Sequence, residues 1–95
     1  MSRYYAIDGT PITFEQWAAA DANPERQVGD DTIDGVVVST VLLGINHRFG
    51  NGPPLIFETM IFGGEHNEEQ WRYSTLAEAK AGHAAAVELV RSGAT

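Results

Sequence analysis

The sequence predicts an α+β fold, in which an antiparallel sheet of three to five strands carries a C-terminal helix on one face. Two long runs, residues 36–45 and 55–62, are rich in the β-branched and aromatic residues that favour strands. Residues 75–91 repeat apolar side chains at helical spacing. Because 95 residues are enough for one hydrophobic core and not for two, we assign residues 1–95 to a single domain.

The chain opens with a predicted hairpin. Residues 4–7 have the composition of a short strand, and the dipeptide formed by Asp8 and Gly9 is a strong tight-turn signal. Pro11 limits the return strand to a sheet edge, because proline cannot donate a backbone hydrogen bond.

A short helix is predicted over residues 14–21. Thr13 and Gln16 have the spacing of a capping box, in which each side chain satisfies a backbone amide of the other residue. A polar stretch follows over residues 25–35, with at most a weak strand near Val28 or residues 32–33.

The two long strands and a third short one form the predicted sheet. Residues 36–45 are apolar on both alternating faces, which is typical of a central strand. Glycine, asparagine and proline make residues 46–54 a loop before the second strand, 55–62. Residues 71–73 form the third strand, and its two aromatic side chains point the same way.

The C-terminal helix is predicted to start at a second capping box, formed by Thr75 and Glu78. At 100° per residue, one arc of this helix collects Leu76, Ala79, His83, Ala86, Val87 and Val90. We therefore expect this arc to pack on the sheet. The other sheet face then needs cover, either from the short helix that carries Trp17 or from a second copy of the chain in a homodimer.

Composition excludes several functional classes. Thirteen acidic and six basic residues give a net charge of −7, which disfavours nucleic-acid binding. We interpret the two acidic clusters, residues 30–34 and 65–69, as solvated turns; the alternatives are an acidic face for a basic partner and a mimic of nucleic-acid charge. The absence of cysteine excludes disulfides and thiolate metal sites. No apolar run reaches the length of a membrane span, and the N-terminus lacks the apolar segment of a signal peptide, so we expect a cytoplasmic protein.

Two residues are candidates for catalysis, each with a structural alternative. His83 lies on the apolar arc of the last helix, where it is either a core histidine that bridges helix and sheet or a general base. Glu58 is a carboxylate within an apolar strand, and a symmetric hairpin would place it within one residue of the position opposite Leu42. Arg72 on the neighbouring strand is its candidate charge partner.

Five residues are candidates for binding: His47, Arg48, Phe49, Trp71 and Tyr73. The first three lie in the loop 46–54, where a rigid turn is the alternative, and the aromatic pair could equally belong to the core. The acidic turn around His66 matches no metal-binding motif, so neither a metal nor a cofactor is predicted.

The motif Gly-Pro-Pro-Leu-Ile-Phe-Glu-Thr-Met-Ile-Phe-Gly-Gly, over residues 52–64, carries a resemblance to a known group of proteins. Together with residues 71–75 and the Gly82-His83 pair, it resembles a family of small proteins encoded by actinobacterial phages and prophages. The resemblance covers most of the chain. It implies an accessory protein made inside an infected bacterium, and it assigns no catalytic or binding residue.

Three functions follow from these patterns. We favour a non-enzymatic protein–protein interaction module, because the sheet is apolar on both faces and no convergent catalytic set is visible. One alternative is a small hydrolase or lyase that uses His83 and Glu58 in one pocket. The other is a virion component, since small proteins with unprotected sheet faces suit assembly.

Overall fold

Four antiparallel strands and one long helix dominate the structure, a computed structural model that describes residues 3–20, 24–48 and 50–93, without the side chain of Glu25. A short 3₁₀ turn covers Pro24–Arg26. The helices and strands are β1 (Tyr4–Tyr5), β2 (Pro11–Ile12), α1 (Phe14–Ala19), β3 (Gln27–Ile33), β4 (Val36–Leu42), β5 (Phe57–Phe62), β6 (Gln70–Tyr73) and α2 (Leu76–Gly93). The main sheet has the order β3-β4-β5-β6, with every neighbouring pair antiparallel. The predicted α+β fold is confirmed.

The polar stretch before residue 36 differs most from the prediction. It forms β3, a seven-residue strand that pairs with residues 36–41 of β4. The sequence predicted at most a weak strand there, because its polar side chains suit a loop as well as a sheet edge. β4 in turn ends at Leu42 and not at residue 45, since Gly44 has a φ of +74° that a regular strand does not contain.

Strand register divides the side chains between two faces of the sheet. Val38, Thr40 and Leu42 on β4 lie opposite Ile61, Thr59 and Phe57 on β5, and all six are buried under α2. This is the helix-side face. Val37, Ser39, Val41, Glu58, Met60 and Phe62 point the other way, and we call their surface the open face.

The helix α2 packs as its periodicity predicted. The capping box is formed, because Thr75 Oγ1 accepts a hydrogen bond from the Glu78 backbone and Glu78 Oε1 accepts one from Thr75 N. Its buried residues are Ala79, Ala86, Val87 and Val90. They divide between two apolar clusters, one around Val38 and Ile61 and one around Leu42 and Phe57. A polar layer of Thr40 and Thr59 lies between the clusters.

The N-terminal hairpin and α1 extend one end of the sheet. Tyr4 bridges to Ile45, and Tyr5 and Ile7 pack against the Leu42 cluster on the helix-side face. The hairpin turn is stabilised at Asp8, where hydrogen bonds from the side chain and then the backbone of Thr10 lower the pKa of the carboxyl group.

The helix α1 does not cover the open face, which was one of the two alternatives that the sequence offered. Trp17 Nε1 donates to the carbonyl of Leu43, and the Trp17 ring lies against Tyr4 and Gly44, beyond the end of β4. On the open face Phe62 is 48% exposed. From strand spacing and rise, even the whole of this side of the four-stranded sheet measures about 400 Å², below the ~800 Å² per partner that stable interfaces bury. A homodimer through this face alone stays a prediction.

Candidate functional site

His83 stands at the centre of a polar network between α2 and the sheet. Its Nδ1 lies 2.7 Å from Thr40 Oγ1, and its Nε2 lies 2.6 Å from Asp31 Oδ2. Thr40 Oγ1 is also 2.5 Å from Thr59 Oγ1. The network therefore joins one helix residue to strands β3, β4 and β5. An ionised carboxylate only accepts, which makes Nε2 the donor toward Asp31.

A glycine on β3 makes room for this imidazole. A Cβ atom placed on Gly29 would lie 2.7 Å from three atoms of the His83 ring, closer than real Cβ contacts come. Asp31 lies opposite Val38, so its side chain is on the helix-side face. This register follows from the tight turn at Asp34 and Gly35, where both residues have positive φ, because the ladder is regular from Ile33 back to Gly29. The core-histidine alternative thus describes the geometry: both ring nitrogens have partners on the sheet.

The hypothesis that Glu58 and His83 lie in one pocket is wrong. Glu58 lies on the open face, and its Oε2 accepts a hydrogen bond from Arg72 Nε at 3.0 Å. His83 lies under the opposite face, so the sheet separates the two side chains. The register of β5 and β6 explains the outcome, because it places Glu58 directly opposite Arg72, its candidate charge partner.

The order carboxylate, imidazole, hydroxyl in Asp31, His83 and Thr40 matches the order of a nucleophilic triad, so its chemistry has to be considered. A nucleophile must be reached by the substrate, and Thr40 is 0% exposed. Its oxygen is also held between His83 and Thr59. This geometry suits a structural link that satisfies polar groups within the core better than it suits attack on a substrate.

The loop 46–54 holds its polar side chains against its own backbone. Arg48 Nε donates to the carbonyl of Pro53 at 2.5 Å, and Asn46 Oδ1 accepts from the amides of Arg48 and Leu55. His47 is exposed. These contacts favour the rigid-turn alternative for the described part of the loop, while Phe49 lies outside the described residues.

In the acidic turn after β5, His66 Nδ1 and Glu69 Oε2 are within hydrogen-bonding distance. Within residues 3–20, 24–48 and 50–93, no three side chains of the metal-ligating kinds are close enough together to hold a metal ion.

Trp71 and Tyr73 lie together on one wall of a cavity of about 340 Å³ between β6 and α2. Both point to the helix side, because they lie opposite Thr59 and Phe57 in the sheet register. Trp71 is 36% exposed at the rim. We call this cavity the β6–α2 groove, and its lining residues are Trp71, Tyr73, Gly82, Ala85, Ala86 and Leu89.

Sequence reasoning found the two aromatic residues and missed the helix wall. Gly82 allows the Tyr73 ring to lie against the helix backbone, since a Cβ there would overlap the end of that ring. A glycine inside a helix costs up to about 1 kcal/mol relative to alanine, so its position beside an aromatic strand was a usable signal.

Comparisons with known proteins give no relative from which a role of these residues could be inferred. No family model, curated protein or solved structure matches the chain. Neither of the described helices has the length and apolar content needed to span a bilayer.

Proposed function

We propose that this protein is a non-enzymatic protein–protein interaction module and that the β6–α2 groove is its binding surface. The observation that carries the proposal is an apolar groove beside the outermost strand of the sheet. An exposed tryptophan at the rim of a concave surface is a common anchor of protein interfaces.

The chemistry of the groove favours binding over catalysis. Its described lining residues include no carboxylate, imidazole or amine, and Tyr73 is the one residue among them with a titratable side chain. The His83 network is directed into the core, where Thr40 is buried. An apolar surface with aromatic walls can hold a partner side chain, whereas acid–base chemistry needs a positioned proton donor or acceptor.

Photocrosslinking in cells that make the protein tests this proposal. Benzoylphenylalanine replaces either Trp71 in the groove or Phe62 on the open face, so that each variant exchanges one exposed aromatic for another. We expect a discrete protein adduct from position 71 and none from position 62. Adducts of equal yield from both positions, or an adduct from position 62 alone, would refute the groove as the binding surface.

The phage-type origin implied by the resemblance is a separate proposal. An accessory protein of an infected bacterium would work in the host cytoplasm, and the adduct from position 71 would then contain a host or phage protein. The open face, with its exposed Phe62, favours a virion-associated role as the second candidate. Mass spectrometry of purified particles decides it, because a virion component must be present there in a fixed ratio to the coat protein.

A further inference from the structure

The outer strand of the groove offers backbone hydrogen-bonding groups as well as an apolar wall. β6 lies at the end of the strand order, so within the described residues one row of its backbone groups has no neighbouring strand. The carbonyls of Glu69 and Tyr73 accept from Ile61 N and Ile56 N of the β5 side. By the alternation of an antiparallel ladder, the backbone groups of residues 70 and 72 point outward.

The size of the groove favours an extended occupant. A volume of about 340 Å³ is at the small end of the ~300–1000 Å³ range of ligand pockets. It suits one or two side chains, whereas a docked helix is ~10–12 Å wide. A strand laid beside β6 would direct every second side chain toward α2, into this space.

Small residues on α2 keep that space open. Gly82 lets the Tyr73 ring lie against the helix, and Ala85 is exposed beside it. Gly82 of α2 lies beside Tyr73, and from there the helix runs back along β6. Leu89, two turns further along the helix, therefore lines the groove at its Trp71 end. The groove is therefore bounded by β6 on one side and by a low helix wall on the other.

Charge favours a basic occupant. Glu68 and Glu69 directly precede β6, and Glu88 adjoins Leu89 at the same end of the groove. Glu88 is paired with Arg91 and Glu69 contacts His66, so three carboxylates share this end with one guanidinium and one imidazole. The whole chain has a net charge of −7. A partner segment with basic residues beside its apolar ones complements this surface.

A second copy of the chain fits the same surface less well. If two β6 strands paired antiparallel about Trp71, residues 68 and 69 of each copy would lie opposite residues 74 and 73 of the other. Glu78 is hydrogen-bonded to that segment, since its Oε1 accepts from Ser74 N and Thr75 N. Glu68 and Glu69 of each copy would then lie near Glu78 of the other copy, and repulsion between these carboxylates disfavours self-association.

We infer that the β6–α2 groove binds an extended segment of a partner protein, which adds to the sheet as a strand beside β6, places alternate apolar side chains against Trp71 and Tyr73, and carries basic residues at its ends. This inference rests on the proposed function and specifies the partner. The added strand takes its hydrogen bonds from the outward groups of β6 and its specificity from the groove.

Titration of the ¹⁵N-labelled protein with short synthetic peptides tests the inference. The main probe is Lys-Val-Thr-Leu-Thr-Val-Lys, and its two controls are the same peptide with glutamate ends and the same peptide with methylated backbone nitrogens. We expect shifts in the amides of residues 70–74 and 82–89, and binding about tenfold weaker for each control peptide. Equal binding of all three peptides would overturn the inference.

Neighbouring alanines of α2 provide matched protein variants. Ala85 lines the groove and Ala84 is exposed without lining it. Ala85→Gln places neutral bulk in the groove and should weaken the lysine-ended peptide about tenfold, whereas Ala84→Gln should change its affinity less than about twofold. Equal effects of the two substitutions would overturn the inference.

Two further outcomes separate the inference from the proposed function. If a lysine–leucine peptide stapled into a helix binds in a manner that depends on Ala85 and the extended peptide does not bind, the groove remains the binding surface and the inference fails. If the same amides shift with protein concentration alone, and sedimentation shows a dimer, the occupant is a second copy and the inference fails. If no peptide binds in a manner that depends on Ala85 and no adduct forms at position 71, the proposed function fails as well.

Discussion

The two edges of the main sheet contact α2 in opposite ways. At the β3 edge the helix provides the ring, because His83 reaches over Gly29 of the strand to Asp31. At the β6 edge the strand provides the ring, because Tyr73 lies over Gly82 of the helix. A glycine permits the close approach in both places. The first contact ends in a hydrogen-bond network and the second borders an open groove.

Because of this difference, the β6 edge is more accessible to a partner strand than the β3 edge. β3 carries Asp30 and Asp31 and an irregular register, and the Gln27 amide donates to the carbonyls of Gly29 and Thr40. Charged side chains and bulges are among the means by which proteins protect sheet edges from pairing. β6 has a regular register with β5 and one charged residue, Arg72, which is paired with Glu58 of the adjacent strand, and Trp71 of the same strand is exposed. The contacts at the β3 edge thus support structural cohesion, and the exposed β6 edge agrees with the proposed binding role.

The largest effect on this comparison is expected from Gly29→Ala. The added methyl group would lie 2.7 Å from the His83 ring, so the ring must leave its position and give up the hydrogen bonds to Asp31 and Thr40. Overpacking and lost hydrogen bonds together should lower the free energy of unfolding by about 3 kcal/mol. Urea denaturation followed by circular dichroism measures this change.

A double-mutant cycle provides the control for Gly29→Ala. In the His83→Ala background the methyl group meets no ring, so the same substitution should cost less than about 1 kcal/mol. Equal costs in both backgrounds would show that Gly29 is required by the strand backbone and not by the imidazole.

A smaller effect is expected from removing the central hydroxyl of the network. Thr40→Val deletes the group that bonds both His83 and Thr59, and should cost about 2 kcal/mol because buried polar atoms lose their partners. Thr59→Val leaves the contact between Thr40 and His83 in place and should cost about 1 kcal/mol. Thermal and urea unfolding of the two isosteric variants compare them directly, and the reverse order would contradict the arrangement.

Local patterns predicted most of the fold, and the β3 edge shows where they fail. The apolar arc of α2 is periodic, and β4 and β5 are continuous runs of β-branched and apolar residues, so each signal lies within one element and the sequence alone was sufficient for them. β3 has polar residues in the positions that an edge strand exposes, so its pattern does not differ from that of a loop. One local signal for its pairing with β4 was missed, because Asp34 and Gly35 form an Asp-Gly tight turn with positive φ at both residues.

How well the candidate site could be predicted depended on strand register, which decides the residues that lie opposite one another. Glu58 was predicted within one residue of its place opposite β4, because a symmetric hairpin around the loop 46–54 sets that register, and it lies opposite Val41. Arg72 on the next strand was its named partner, and the two side chains are paired. The partners of His83 lie 43 and 52 positions away in the chain, at Thr40 and Asp31. Such distant partners are set by the way α2 packs across β3 and β4, which a pattern within one element does not predict.

The smallest change in stability is expected from Gly82→Ala, the counterpart of Gly29→Ala at the β6 edge. The added methyl group displaces the end of the Tyr73 ring, which borders the groove and has room to move. Alanine also favours the helix by about 1 kcal/mol relative to glycine, which offsets part of the lost contact.

We therefore expect the free energy of unfolding of Gly82→Ala to stay within about 1 kcal/mol of the original protein. The ring signals of Tyr73 and Trp71 should nevertheless shift in NMR spectra, because the groove wall has moved. If Gly82→Ala lowered the free energy of unfolding by nearly the ~3 kcal/mol expected for Gly29→Ala, the helix contacts at both edges would contribute equally to stability. The β6 edge would then be as much a part of the core as the β3 edge, and the division between cohesion and binding would fail.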